Sequence, residues 1–177
     1  MEIFNNRYDL IKSLPQNMNI AEVGVFKGEF SKFIFENLKP NNLILIDLFE
    51  GIMGSGDKDG NNMEFINLDS SFNHLNSFFK NENVQIIKGY SSVELKKIKD
   101  LYLDMIYIDA SHEYEDVKQD LFLSFDKIKK NGFICGHDYE IQRFPSVVKA
   151  VDEFCEFFNL KINAISQDGL PSYLIRK

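Results

Sequence analysis

Two short stretches of this 177-residue chain concentrate the residue types that carry chemistry: Tyr107-Ile108-Asp109-Ala110-Ser111-His112 and Ile134-Cys135-Gly136-His137-Asp138-Tyr139. Each closes an apolar, strand-like run, 105–109 in the first case and 133–136 in the second. If those strands lie side by side, Asp109 and Asp138 come within reach of one another. Two carboxylates that close repel unless a cation or a proton sits between them. A hard divalent ion with oxygen ligands, such as Mg²⁺, relieves the repulsion and can also hold a hydroxyl group. His112, three residues beyond Asp109, is then the candidate general base, because an imidazole titrates near neutral pH. His137 has three readings: a ligand beside Asp109 and Asp138, an orienting partner of Asp138, or a donor to backbone. The plain alternative is that Asp109 and Asp138 each cap the following helix and His112 is an exposed first-turn residue.

A third stretch, Glu22-Val23-Gly24-Val25-Phe26-Lys27-Gly28, follows the first strand-like run and opens a helical pattern. Its glycines suit a tight strand-to-helix turn and a close approach of backbone to a ligand. A dinucleotide fingerprint would read G-x-G-x-x-G, to seat a pyrophosphate on the helix N-terminus. Here Phe26 stands where the middle glycine belongs, and Glu22 precedes the first. That arrangement serves an anionic pyrophosphate poorly and a cationic sulfonium with an amino group better. Asp47 closes the next run, Leu45-Ile46-Asp47-Leu48, where a carboxylate can accept from both hydroxyls of a ribose. The alternative is that the glycines only make a turn and Asp47 caps the next segment.

The elements that must hold these residues alternate regularly. Strand-like runs at 20–25, 43–48, 84–88, 105–109 and 133–136 are separated by helical stripes. The stripes are Phe30, Phe33, Ile34 and Leu38; Phe65, Leu68, Phe72, Leu75 and Phe79; Tyr114, Val117, Leu121, Phe125 and Ile128; then Val147, Val151, Phe154, Cys155 and Phe158. All are core faces. Repeated β-α-β units predict a single α/β domain over 1–177, Rossmann-like and doubly wound, with a mostly parallel seven-stranded sheet. Runs 160–166 and 172–176 are joined by a turn too short for a crossover helix, so they form a C-terminal antiparallel hairpin. The Gly-, Asp- and Asn-rich stretch 51–62 is expected to be a lid over the acceptor pocket. Two decoys fall away. Tyr114-x-x-x-Lys118 has dehydrogenase spacing without the glycine fingerprint, and Asp57–Asn61 lacks the glutamate of a calcium loop.

At this point the sequence resembles the class I S-adenosylmethionine-dependent methyltransferases, over nearly its whole length. The resemblance implies that Gly24 and neighbouring backbone contact the methionine part, that Asp47 binds ribose, and that Lys88-Gly89-Tyr90-Ser91-Ser92 lies along the adenine. The candidate cofactor-binding set is Glu22, Gly24, Val25, Phe26, Gly28, Asp47, Leu48, Gly89, Tyr90, Ser91 and Asp109. Asp109-Ala-Ser-His112, Asp116, Asp120 and Gly136-His137-Asp138-Tyr139 look like the metal-dependent sugar O-methyltransferases of the macrocin type. They are also similar to the small methyltransferases grouped with cephalosporin-hydroxylase-like proteins. That likeness implies Asp109 and Asp138 on the metal and His112 as base. Catechol-type relatives carry Asp-Asn after the fifth strand. Here Tyr139 replaces the Asn, which leaves the third protein ligand open between His137 and another group.

Composition narrows the rest. With 20 Lys and Arg against 27 Asp and Glu, the net charge is −7, so nucleic acid is not an expected partner. Cys135 and Cys155 have no metal spacing and suit a buried role. The N-terminus lacks signal-peptide character and no run approaches a membrane span, so the cytosol is the expected compartment. The expected function is S-adenosylmethionine-dependent O-methylation of a small hydroxylated acceptor, such as a sugar, with Mg²⁺ assistance. The competing expectation is a non-catalytic binding or scaffolding protein on the same fold. The chain is short beside its sugar-modifying relatives, so either the pocket is open or a second subunit, as in a homo-oligomer, or a carrier completes it.

Overall fold

The computed structural model describes residues 1–53 and 64–177. In chain order the elements are β1 (Glu2–Phe4), α1 (Arg7–Lys12), β2 (Asn19–Val23), α2 (Glu29–Leu38), β3 (Asn42–Asp47), β4 (Glu50–Met53), β5 (Glu64–Asn67) and α3 (Asp69–Phe78). They continue with β6 (Val84–Lys88), α4 (Ser91–Lys97), β7 (Leu103–Ile108), α5 (Tyr114–Lys127), β8 (Ile128–Gly136), α6 (Pro145–Phe157), β9 (Ile162–Ser166) and β10 (Tyr173–Arg176). One sheet runs in the order β1-β9-β10-β8-β7-β2-β3-β6. Its centre, from β8 to β6, is parallel, and β10 lies antiparallel between β8 and β9. The α/β doubly wound class and the terminal hairpin are therefore present.

The sheet has one strand more than the seven expected. The extra strand, β1, pairs parallel with β9; three residues are too few for periodicity to show. Phe65 lies in β5, paired antiparallel with β4, so it does not extend the α3 stripe, which begins after Asp69. Ile128 likewise starts β8 rather than ending α5. The stretch 51–62, expected as a lid, lies from residue 54 onward outside the described residues, as does the calcium-like segment. Among the described residues, no helix is long and apolar enough to cross a membrane.

Strand side chains alternate between two cores because both faces are covered. Ile20, Leu45, Met105 and Tyr107 join α1, α2 and α3 on one side. Ala21, Ile46, Ile106 and Ile108 join α4, α5 and α6 on the other. The parallel ladders run past the strand ends. Gly89 N–H donates to Asp47 O (2.9 Å), Gly24 N–H to Ile46 O (2.9 Å), Asp109 N–H to Val23 O (2.7 Å) and His137 N–H to Ile108 O (3.1 Å). Five chain segments are thereby stitched into one C-terminal edge.

Gly24 has a structural reason beyond any ligand. Its φ is +89°, and a Cβ there would fall onto the carbonyl of Asp109, on the neighbouring strand. Glu22, two residues earlier on β2, points into the first core and is 1% exposed. Its Oε2 finds no hydrogen-bond partner. Burial pushes its carboxyl up to about 8 from an ordinary 4.5, with Ser31 partly opposing.

Two outcomes follow from this frame. Gly24→Ala should destabilise the fold by more than about 3 kcal/mol, since backbone must move and the left-handed conformation is strained; thermal melts would show a fall of roughly 6–12 °C. For Glu22 the folded state holds its proton while the unfolded state releases it, so folding is penalised as pH rises. The penalty is absent below about 4.5, grows by at most about 1.4 kcal/mol per pH unit, and levels off above about 8. Glu22→Gln removes it, so the melting-temperature gap between variant and wild type should widen between pH 5 and pH 8. A constant gap would mean that Glu22 is ionised in the fold.

Candidate active site

The stitched edge brings together the residues that the sequence singled out on β7 and β8. Asp109 follows β7 and Asp138 follows β8, and the shared ladder places them side by side. Asp138 holds φ +60°, a left-handed conformation that aspartate tolerates. One ligand atom from each of Asp109, His137 and Asp138 lies within 4.8 Å of the others. His137 Nδ1 stands 3.1 Å from Asp138 Oδ1 and 3.6 Å from Asp109 Oδ1. Asp138 Oδ1 is buried and has no aligned hydrogen bond.

The second oxygen of Asp138 is taken by His112, whose Nε2 lies 2.7 Å from Oδ2. The half-exposed His112 ring packs on Phe144, centroids 4.3 Å apart, a contact that sequence spacing did not offer. The two carboxyls differ. Burial raises that of Asp109, opposed by His137 and reinforced by Asp138. Burial also acts upward on Asp138, but the bond to His112 and the contact with His137 outweigh it and hold the group well below the usual range. His112 in turn is raised by its bond to Asp138, against partial burial. The plain helix-cap reading of these aspartates does not describe the geometry, since the N-caps of α5 and α6 are Glu113 and Phe144.

Tyr139 turns away from this cluster and donates from its hydroxyl to Asp152 on α6 (2.6 Å). His137, not Tyr139, is thus the third group beside the aspartates. A divalent cation fits what is there: two carboxylates, one imidazole and a buried oxygen lacking a partner.

The glycine turn is held from the side of β3. Val25 and Phe26 donate their N–H groups to Asp47 Oδ2 (2.6 and 2.8 Å), and Phe49 N–H donates to Oδ1 (2.6 Å). Asp47, expected on ribose, also shapes the turn itself; a carboxylate has about four acceptor sites, so capacity remains. Phe26, at φ +53°, adopts the left-handed backbone without being glycine, a strain of about 1–2 kcal/mol. With a carboxylate already on two turn N–H groups, the turn offers little to a pyrophosphate. Asp47 and Asp109 beside it suit a sulfonium and an ammonium instead. Leu48 follows Asp47, Gly89 continues the ladder, Ser91 opens α4, and the ring of Tyr90 before it is exposed. All of these residues lie at the C-terminal ends of β3 and β6. Ser111 Oγ donates to Asp116 (2.8 Å), while Asp120 is buried and raised to about 6 by that burial.

One site residue has no sequence signal. Arg7, at the start of α1, donates from Nη1 to Asp109 Oδ2 (3.3 Å), and its guanidinium lies 4.4 Å over the Phe30 ring. Its backbone N–H donates to Asp168 Oδ2 (3.1 Å) in the β9–β10 turn. A lone arginine in a short helix carries no spacing, so nothing in the sequence marked it.

Comparison with known proteins agrees with this geometry. Residues 21–139 match the family model described as a methyltransferase domain. An uncharacterized protein of Acanthamoeba polyphaga mimivirus is 31% identical over 142 residues, covering 77% of this chain and 59% of its own length. The O-methyltransferase NovP superposes with a TM-score of 0.66 at 18% identity, over 97% of this chain and 79% of NovP. A Streptococcus mutans protein solved in complex with SAH gives 0.67 at 10% identity, over 96% of this chain and 94% of that one. A matched family model spanning the turn, Asp47, Asp109 and Asp138 makes this chain a member of the methyltransferase-domain family, a class I S-adenosylmethionine-dependent methyltransferase.

Proposed function

We propose that this methyltransferase acts on a hydroxyl oxygen of a small acceptor such as a sugar, assisted by a divalent cation, Mg²⁺ or Mn²⁺. The observation that carries the reading is the cluster of Asp109, His137 and Asp138 within 4.8 Å, with His112 bonded to the outer oxygen of Asp138. The fold alone does not choose the acceptor atom; the acid–imidazole cluster favours oxygen. A net charge of −7 opposes a nucleic-acid acceptor.

Asp109, His137 and Asp138 would hold the cation, which supplies charge that lowers the pKa of an acceptor hydroxyl. Since a carboxylate accepts, His112 presents Nε2–H to Asp138, and its other nitrogen, Nδ1, is the one able to take a proton. His112 thus removes the hydroxyl proton as the oxygen attacks the cofactor's methyl in line. The O–C bond forms as the S–C bond breaks, and S-adenosylhomocysteine leaves with the sulfur's electron pair. Phe144 against the ring limits its rotation, which keeps the accepting nitrogen aimed.

Methyl transfer to a panel of hydroxylated sugars, with calorimetric titration of Mg²⁺ and Mn²⁺, tests this. His112→Ala should lower kcat by about 10²–10⁴ with cofactor affinity nearly unchanged. Asp138→Asn, which tolerates the same backbone, should abolish cation binding and turnover together. Full turnover of Asp138→Asn without added metal would overturn the cation's part; a product methylated on nitrogen or carbon would overturn the acceptor.

A further inference from the structure

We propose that Arg7 recognises the carboxylate of the S-adenosylmethionine methionine arm, and that its present bond to Asp109 is a resting contact. The inference rests on the cofactor assignment and not on the cation. The order of strand ends along the edge sets the argument: β6 and β3, then β2, then β7 and β8. With ribose at Asp47 and methyl transfer at the Asp109–His112–Asp138 cluster, the sulfonium must lie over the β2 turn between them. Its third arm then descends beside Gly24, whose missing Cβ faces the Asp109 carbonyl.

That place is acidic. Asp47 and Asp109 flank it, and a further carboxylate needs a cation. Arg7 stands there with its side chain 22% exposed, held by Phe30 in the first turn of α2. Its bond to Asp109 is a weak one. At 3.3 Å it exceeds the roughly 2.7–2.9 Å of a charge-assisted bond, and it is single where a guanidinium favours a two-pronged fork. A planar carboxylate beside it supplies that fork. His137 approaches Asp109 through Oδ1 (3.6 Å), whereas Arg7 uses Oδ2, so the two cations meet different oxygens of the same carboxylate.

Calorimetry with S-adenosylmethionine and its decarboxylated analogue separates the possibilities. Wild type should bind the intact cofactor at least about 10-fold more tightly. Arg7→Met, which keeps the stem over Phe30, should weaken the intact cofactor about 10- to 100-fold and the analogue less than about 3-fold. Arg7→Lys, with charge but no fork, should fall between. Equal wild-type affinity for the two ligands would overturn the proposal without any variant, and so would an equal loss of both in Arg7→Met. Wild type binding neither would remove the cofactor assignment and this inference with it.

Discussion

The site depends on one constraint of parallel sheets: the backbone groups just beyond each strand must still find partners on the neighbouring strand. Here that requirement is met in series, from Gly89 through Asp47, Gly24 and Asp109 to His137. No member of the series can shift alone, because its N–H or carbonyl is shared. The functional side chains branch from this row or from residues next to it. Their spacing is therefore a property of the ladder, set by strand separation rather than by loop conformation. Gly24 shows how tight the row is, for even a methyl group would strike the adjacent strand's backbone.

Electrostatics explains why such a row can hold so many acids. Glu22 avoids repulsion by keeping its proton. Asp47 distributes its charge over three backbone N–H groups. Asp138 is stabilised by two imidazoles, and Asp109 is shared between Arg7 and His137. Each carboxyl thus has a different solution to the same problem, and the proton affinities of Glu22, Asp109 and Asp138 are driven apart. Such separation is the usual precondition for giving neighbouring acids different roles.

Much of this was legible in the sequence, for a physical reason. Asp109, His112, His137 and Asp138 sit within four residues of strand ends, and strands of a doubly wound sheet end at one edge; local position then implies spatial neighbourhood. The place of Asp47 at the end of its strand was legible, but its bonds to Val25 and Phe26 were not, since they depend on how the turn folds over β3. Phe65 shared the helical period of Leu68, Phe72 and Leu75 by coincidence, and its strand partner on β4 decided otherwise. Arg7 was invisible because its placement comes from residues about 100 and 160 positions away in sequence. Of the three readings of His137, its place beside Asp109 and Asp138 depends on side-chain direction, which period and spacing do not encode.

The anchoring of α1 has a consequence for the order in which the molecule assembles. β1 has its partner in β9, and the Arg7 backbone is fixed by Asp168, which accepts a hydrogen bond from Ser166. Synthesis from the N-terminus makes Arg7 well before the hairpin, yet Arg7 cannot be seated until the hairpin has been made. The central strands, whose neighbours come earlier, can pair before then. Residues made early are thus placed late, and the edge around Asp109 closes only when the segments around Arg7 and Asp168 have met.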